Sequence, residues 1–173
     1  MRRENRLPET VTKPDFKRAQ SEALRILSDF GYDQPPIDPV RIANDMGIKV
    51  RFAKFSQEYS EVSGFFDADE NTIFVNSDEF PRRQTFTVGH ELGHNVLHLD
   101  WARSKNYRVL LRDDTEQQKD AIEREANVFA AHLLAPRSLL LKYHKIATIQ
   151  ELSDLFMVSA PVIKNRLAFE FGS

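Results

Sequence analysis

Cysteine is absent from this chain, which excludes disulfides and thiolate metal ligands and fits a reducing compartment such as the cytoplasm. No apolar run approaches the ~20 residues that a helix needs to cross a bilayer. The charged opening Met1-Arg2-Arg3-Glu4-Asn5-Arg6 leads into no hydrophobic signal segment. Neither sign of charge dominates: 24 basic and 26 acidic residues leave a formal net charge of -2, so the surface as a whole gives no electrostatic reason to hold nucleic acid. Internal repeats and low-complexity tracts are missing too. What is present is a 173-residue chain, 41% hydrophobic and 29% charged, long enough to bury a core and ordinary for a globular protein. These features together point to a cytoplasmic protein without membrane contact.

Along the chain, residues 1–13 hold charges and one proline without periodicity and read as a mobile arm. The pattern predicts a helix from Asp15 to Phe30, ended by Gly31, and a short second helix opened by Asp38-Pro39 and closed by Gly47. Ala19, Leu24, Ile26 and Leu27 are among the apolar positions of the first. Ile48 to Phe52 alternates like a strand, and Val62–Phe66 joins Thr72–Asn76 through Asp67-Ala68-Asp69-Glu70-Asn71 as a hairpin.

Chemistry concentrates in Thr87-Val88-Gly89-His90-Glu91-Leu92-Gly93-His94-Asn95-Val96-Leu97-His98. His90, Glu91 and His94 form an HExxH string, and Pro81 at its front suits the first turn of a helix. Four residues make little more than one turn, so both imidazoles leave the same face, close enough to grip one ion. Neutral imidazoles suit Zn²⁺, which lowers the pKa of a bound water to about 7. Glu91, beside it, has the chemistry to take the proton of that water and hand it to a leaving amine. The implied reaction is peptide-bond hydrolysis.

A zinc site needs a third protein ligand. His98 sits four residues past His94, but eight residues of continuous helix put it about 12 Å along the axis from His90, too far for one ion. We expect it to cap the helix end as a cationic ring favoured by the dipole. The next strong helix, Glu116 to Leu134, carries an apolar stripe through Ile122, Ala126, Phe129 and Leu133, with Glu123 and Glu125 on its two flanks. Periodicity does not choose between them. Asn127, four residues after Glu123, favours that residue, because it lies where it could orient the carboxylate.

These residues carry a family likeness. His90-Glu91-Leu92-Gly93-His94 with Leu97-His98, followed by Glu123, Ala126-Asn127, Phe129-Ala130-Ala131 and Leu133-Leu134-Ala135-Pro136, resembles the ImmA/IrrE family of zinc metallopeptidases. The likeness extends upstream through Ile37–Ala43 and Val62–Phe66, so that most of residues 20–170 are covered. It implies that His90, His94 and Glu123 hold zinc and that Glu91 is the catalytic base. It further implies a bacterial or phage regulatory protease whose protein substrate is a helix-turn-helix repressor, cleaved to derepress its genes.

Three further features bear on function. The strand around Ser63-Gly64-Phe65 is a candidate edge on which an extended substrate could add itself. Tyr107 or His132 could steady the oxyanion, within or beyond a segment, Trp101 to Val109, that reads as a loop. In the tail, Thr148-Ile149-Gln150-Glu151 is a capping box and Ser159-Ala160-Pro161 opens another helix, giving a helix-turn-helix silhouette. Only Lys164, Asn165 and Arg166 offer donors for DNA there, so a helical subdomain that closes the fold or docks the substrate is the favoured use. The alternative to a zinc endopeptidase is a non-catalytic regulator, antitoxin-like or DNA-binding, that retains the fold. The expected architecture is α+β: a zincin-like metallopeptidase core over residues 14–143, with a small antiparallel sheet and the HExxH helix, and a helical subdomain over 144–173.

Overall fold

The computed structural model of the chain describes residues 13–103 and 116–172. The expected arm, apart from Lys13, lies outside those residues, as does Tyr107. Helix α1 runs Phe16–Phe30: the Asp15 side chain accepts from the Arg18 backbone N–H at its start, and Gly31, at φ 71, ends it in the left-handed conformation. Ala19, Ala23, Ile26 and Leu27 form its buried stripe, whereas Leu24 falls on the outer side and is 47% exposed. Helix α2, Pro39–Asp45, starts from Asp38, whose carboxylate accepts from Val40 and Arg41, with proline in its first turn.

Three strands follow: β1 (Lys49–Ala53), β2 (Gly64–Asp67) and β3 (Thr72–Asn76), with a 3-10 turn at Gln57–Tyr59 between the first two. The β2–β3 hairpin is antiparallel, pairing Phe65 with Phe74. Its turn is closed by Asp67, whose carboxylate accepts from the backbone N–H groups of Asp69 and Glu70. The sheet is nevertheless not the antiparallel one expected. Its order is β1-β3-β2, and β1 lies parallel to β3, Arg51 beside Phe74. Residues 54–63 turn the chain back but set β2 one strand away, and β3 fills the gap running in the direction of β1. The central strand is also the most buried, with Thr72, Ile73, Val75 and Asn76 all at 3% exposure or less.

Helix α3 (Pro81–Leu97) lies against β2 and β3 on one side and against α5 (Glu116–Leu134) on the other, and α1 covers α5. Between them Leu99–Ala102 forms a helical turn, α4, so Trp101 stands on a helix rather than in the loop expected. On α5 the stripe Ile122, Ala126, Phe129 and Leu133 is buried at 2% exposure or less, each large side chain contributing about 1.5–3 kcal/mol relative to an exposed position. Pro136 ends α5 and leads into α6 (Arg137–Tyr143). The tail comprises α7 (Ile149–Phe156), with the Thr148/Glu151 capping box formed, and α8 (Ala160–Phe171). Met157 turns the chain between them at φ 53. Among the described residues no helix is long and apolar enough to cross a membrane.

Candidate metal centre

The site begins with a close approach of α3 and α5. A Cβ on Gly93 would stand 3.1 Å from both the Ala126 Cα and the Phe129 Cδ1, tighter than most packed Cβ contacts. Glycine here lets the two backbones meet, and the side chains one turn away converge. His90 Nε2 and His94 Nε2 are 3.0 Å apart. Glu123 closes the triangle, one oxygen 3.1 Å from His90 Nε2 and the other 3.3 Å from His94 Nε2. These three residues form a cluster whose ligating atoms all lie within 4.8 Å of one another. Glu125 is not part of it.

The spacing fits a metal ion. Two ligands at ~2.0–2.1 Å from a tetrahedral zinc stand about 3.3 Å apart, close to the separations found. Chemistry agrees with geometry: two imidazole nitrogens face each other at 3.0 Å beside a carboxylate, a donor set that suits a divalent cation. Without a cation, burial works to raise the Glu123 carboxyl pKa, but the bonds to His90 and His94 outweigh it and hold the group well below the usual carboxylate range. Burial likewise works against the protonated His90 ring, yet Glu123 and the nearby Glu91 raise its pKa overall.

Behind each imidazole stands a partner. Asn127 Oδ1 lies 2.9 Å from His90 Nδ1, so the amide orients the histidine and not Glu123, as its spacing had suggested. Both residues lie on the face of α5 turned to α3, and the ring comes within reach of the amide first. His98 occupies the C-cap position of α3, but its ring points inward and is 6% exposed. Its Nδ1 is 3.3 Å from His94 Nδ1 and its Nε2 2.8 Å from Glu125 Oε2. Burial and the neighbouring His94 hold its pKa down to about 4 despite Glu125. The ring is therefore neutral at neutral pH, and the cationic cap expected here does not form. Glu125, itself 2% exposed, accepts the Asp15 backbone N–H through its other oxygen at 2.7 Å. Trp101 lies beside this group, its ring centroid 5.2 Å from that of His94.

The cluster opens into a cleft of about 590 Å³, bordered by Glu91 and Thr87 of α3, Gly64 of β2, and Trp101. Glu91 is 5% exposed. Among the described residues β2 is paired on one side only, with β3, so the strand expected to be an edge is one there, and its first residue faces the cleft. Gly64 is required there: a Cβ would come within 2.5 Å of Thr87 Cγ2. The opposite wall comes from the tail, through Ser159 and Val162. Sequence patterns did not single out that wall, nor Arg82 and Arg83 on the rim. Arg82 bonds to Ser153 and pairs with Asp154 of α7.

His132 stands away from the cleft. It is buried on the far part of α5, where its Nε2 is 2.9 Å from Arg166 Nη1, and it contributes nothing to an oxyanion site. Arg166 is 2% exposed and also donates to the Ala135 carbonyl at 2.9 Å. Of the three donors considered for DNA, only Lys164 and Asn165 are exposed.

An HExxH helix whose histidines meet a carboxylate from a second helix, beside a glutamate in an open cleft, defines a metallopeptidase type of site. Residues 43–168 match the family of the IrrE N-terminal-like domain, a peptidase family, and the chain belongs to it. The chain is similar to the radiation response metalloprotease IrrE of Deinococcus radiodurans, at 37% identity over 44% of this chain and 23% of the relative. It is 28% identical to the protein of the same name from Deinococcus deserti, over 70% of this chain and 42% of the relative. An uncharacterized immunity region protein of Bacillus phage phi105 is 32% identical over 49% of this chain and 52% of its own length. The chain thus spans about half or less of these relatives. Its fold is shared with a Mycobacterium tuberculosis transcriptional regulator, at a TM-score of 0.66 and 21% identity, covering 87% of this chain and 55% of the other.

Proposed function

We propose that the chain is a zinc-dependent endopeptidase with a zincin-like core that cuts a specific regulatory protein, a helix-turn-helix repressor, and so releases the genes it silences. The observation that carries this is the convergence of His90, His94 and Glu123 at hydrogen-bonding distances beside Glu91 in an open cleft. His90, His94 and Glu123 hold the zinc. When bound, zinc supplies the Lewis acidity that brings a water within reach of deprotonation at neutral pH and polarises the scissile carbonyl. Glu91 takes the proton from the attacking water and delivers it to the leaving amine nitrogen as the C–N bond breaks. The unpaired side of β2 holds an extended segment of substrate by backbone hydrogen bonds.

A regulatory substrate accords with what the relatives are called, a radiation response metalloprotease and a phage immunity region protein. The test is a cleavage assay of the purified chain, zinc added, on small helix-turn-helix repressors from the same genome, beginning with any encoded beside its gene, with Glu91→Gln as control. The variant should retain zinc and lose about 10²–10⁴-fold in rate. Undiminished cutting by Glu91→Gln would remove this mechanism, and a wild-type chain that holds no zinc would remove the function.

A further inference from the structure

We propose that Glu125 and His98 are positioning residues, a buried pair that keeps His94 in the one tautomer able to bind a metal and anchors it to the start of α1. This rests on the reading of His94 as a ligand. To offer Nε2 to a cation, a neutral imidazole must carry its proton on Nδ1. His94 is 1% exposed, so solvent does not set that choice.

The neighbours set it, and the assignment runs inward from the carboxylate. Glu125 is an acceptor at both oxygens: one receives the Asp15 backbone N–H at 2.7 Å, and the other faces His98 Nε2 at 2.8 Å. His98 must therefore carry its proton on Nε2 and present a bare Nδ1. That nitrogen lies 3.3 Å from His94 Nδ1, and the proton between the two rings consequently belongs to His94. Its Nε2 is left bare, aimed at His90 Nε2 and Glu123. The far end is tied down twice, because Arg18, one turn into α1, also donates to the Leu97 carbonyl at the end of α3 at 3.1 Å.

A space-filling role does not account for this arrangement. A carboxylate and an imidazole, both nearly excluded from water, cost desolvation that leucine and phenylalanine would avoid. What apolar side chains cannot do is choose which nitrogen of His94 bears the proton. Partners of this kind change metal affinity by about 10–100-fold when removed.

The tautomer is measurable directly. In the metal-free wild-type protein labelled with ¹⁵N at histidine, long-range ¹H–¹⁵N correlation should show His94 protonated at Nδ1 and His98 at Nε2. Finding His94 protonated at Nε2 overturns the proposal, whatever the variants do. Glu125→Gln supplies the second arm, since an amide oxygen cannot accept from both Asp15 and His98 without turning its NH₂ on one of them. Chelator competition with zinc alone should then show affinity about 10–100-fold weaker, with His94 no longer confined to the Nδ1–H form. A folded variant with unchanged tautomer and unchanged affinity overturns the role of Glu125. Loss of zinc binding by the wild type would instead count against the proposed function, because the tautomer is read without metal.

Discussion

Helix α5 takes part in two polar clusters of similar composition and opposite character. At its middle, Glu123 and Asn127 meet the imidazoles of α3. Near its end, His132 meets Arg166, which donates to the Ala135 carbonyl and to Glu170, while Glu170 also accepts from Arg137. In the second group every charge faces its opposite or a dipole, and the His132 nitrogen is taken by a donor. In the first, lone pairs converge on one point and the cluster opens into a cleft. A histidine next to a charged residue thus marks a strut when its nitrogen is used up, and a site when it is left over and pointed at another. Both clusters look alike as lists of residue types.

The sharpest way to break that distinction is metal binding. Glu123→Gln should weaken zinc by at least about a hundredfold, whereas His132→Gln should leave it unchanged by chelator competition. If His132→Gln released the metal as readily, the two clusters would be one functional unit. Next in size is the crossing that builds the first cluster. Gly93→Ala forces apart the contact with Ala126 and Phe129, and overpacking of this kind costs about 1–3 kcal/mol, more than alanine returns in helix propensity. Urea unfolding should show that loss together with weaker zinc; a variant of normal stability and affinity would mean that the helices adjust freely.

The second cluster predicts a pH effect. Burial, and then Arg166, hold the His132 pKa down to about 4 from an ordinary 6.5. Between these values the unfolded chain holds a proton that the folded chain refuses, so stability falls as pH drops from 6.5 to 4 and the loss levels off below. His132→Gln in metal-free protein should reduce this slope by up to about 1.4 kcal/mol per pH unit. His98, held near 4 in the same way, still contributes in the variant; an unaltered slope would show that His132 does not titrate as described. Smallest is the turn between α7 and α8. Met157 adopts φ 53, a conformation that disfavours any residue with a Cβ, and Met157→Gly should raise stability by about 0.5–1 kcal/mol without touching zinc affinity. A lower melting temperature would show that the Met157 side chain contributes more by packing than its backbone costs.

Much of this was legible in the residues because it is local. Asp15, Gly31, Asp38 and Thr148 bound helices by short-range hydrogen bonds, and the HExxH pair needs only one turn of α3. Glu123 could be favoured over Glu125 from Asn127, although the structure gives Asn127 to His90 instead: spacing identifies a shared face, not which neighbour across the gap a side chain meets. The parallel pairing of β1 escaped for a related reason, since alternation marks a strand without stating its place in the sheet. His98, Glu125 and Arg166 are the instructive misses. The sequence makes His98 a helix cap, Glu125 the alternative metal ligand and Arg166 a donor for DNA, yet each is buried because a partner distant in sequence satisfies it. A histidine four residues beyond the second ligand was the available signal for the first of these.

The wall that Ser159 and Val162 contribute to the cleft comes from a helical hairpin that supplies none of the His90, His94 and Glu123 cluster. Under the proposed function, selectivity and reactivity are thereby separable under mutation: exchanges along the first turn of α8 can reshape what enters the groove while the His90, His94 and Glu123 cluster on α3 and α5 is inherited intact. Divergence among proteins built this way should accumulate at that edge, and a designer seeking a new cutting preference would begin there.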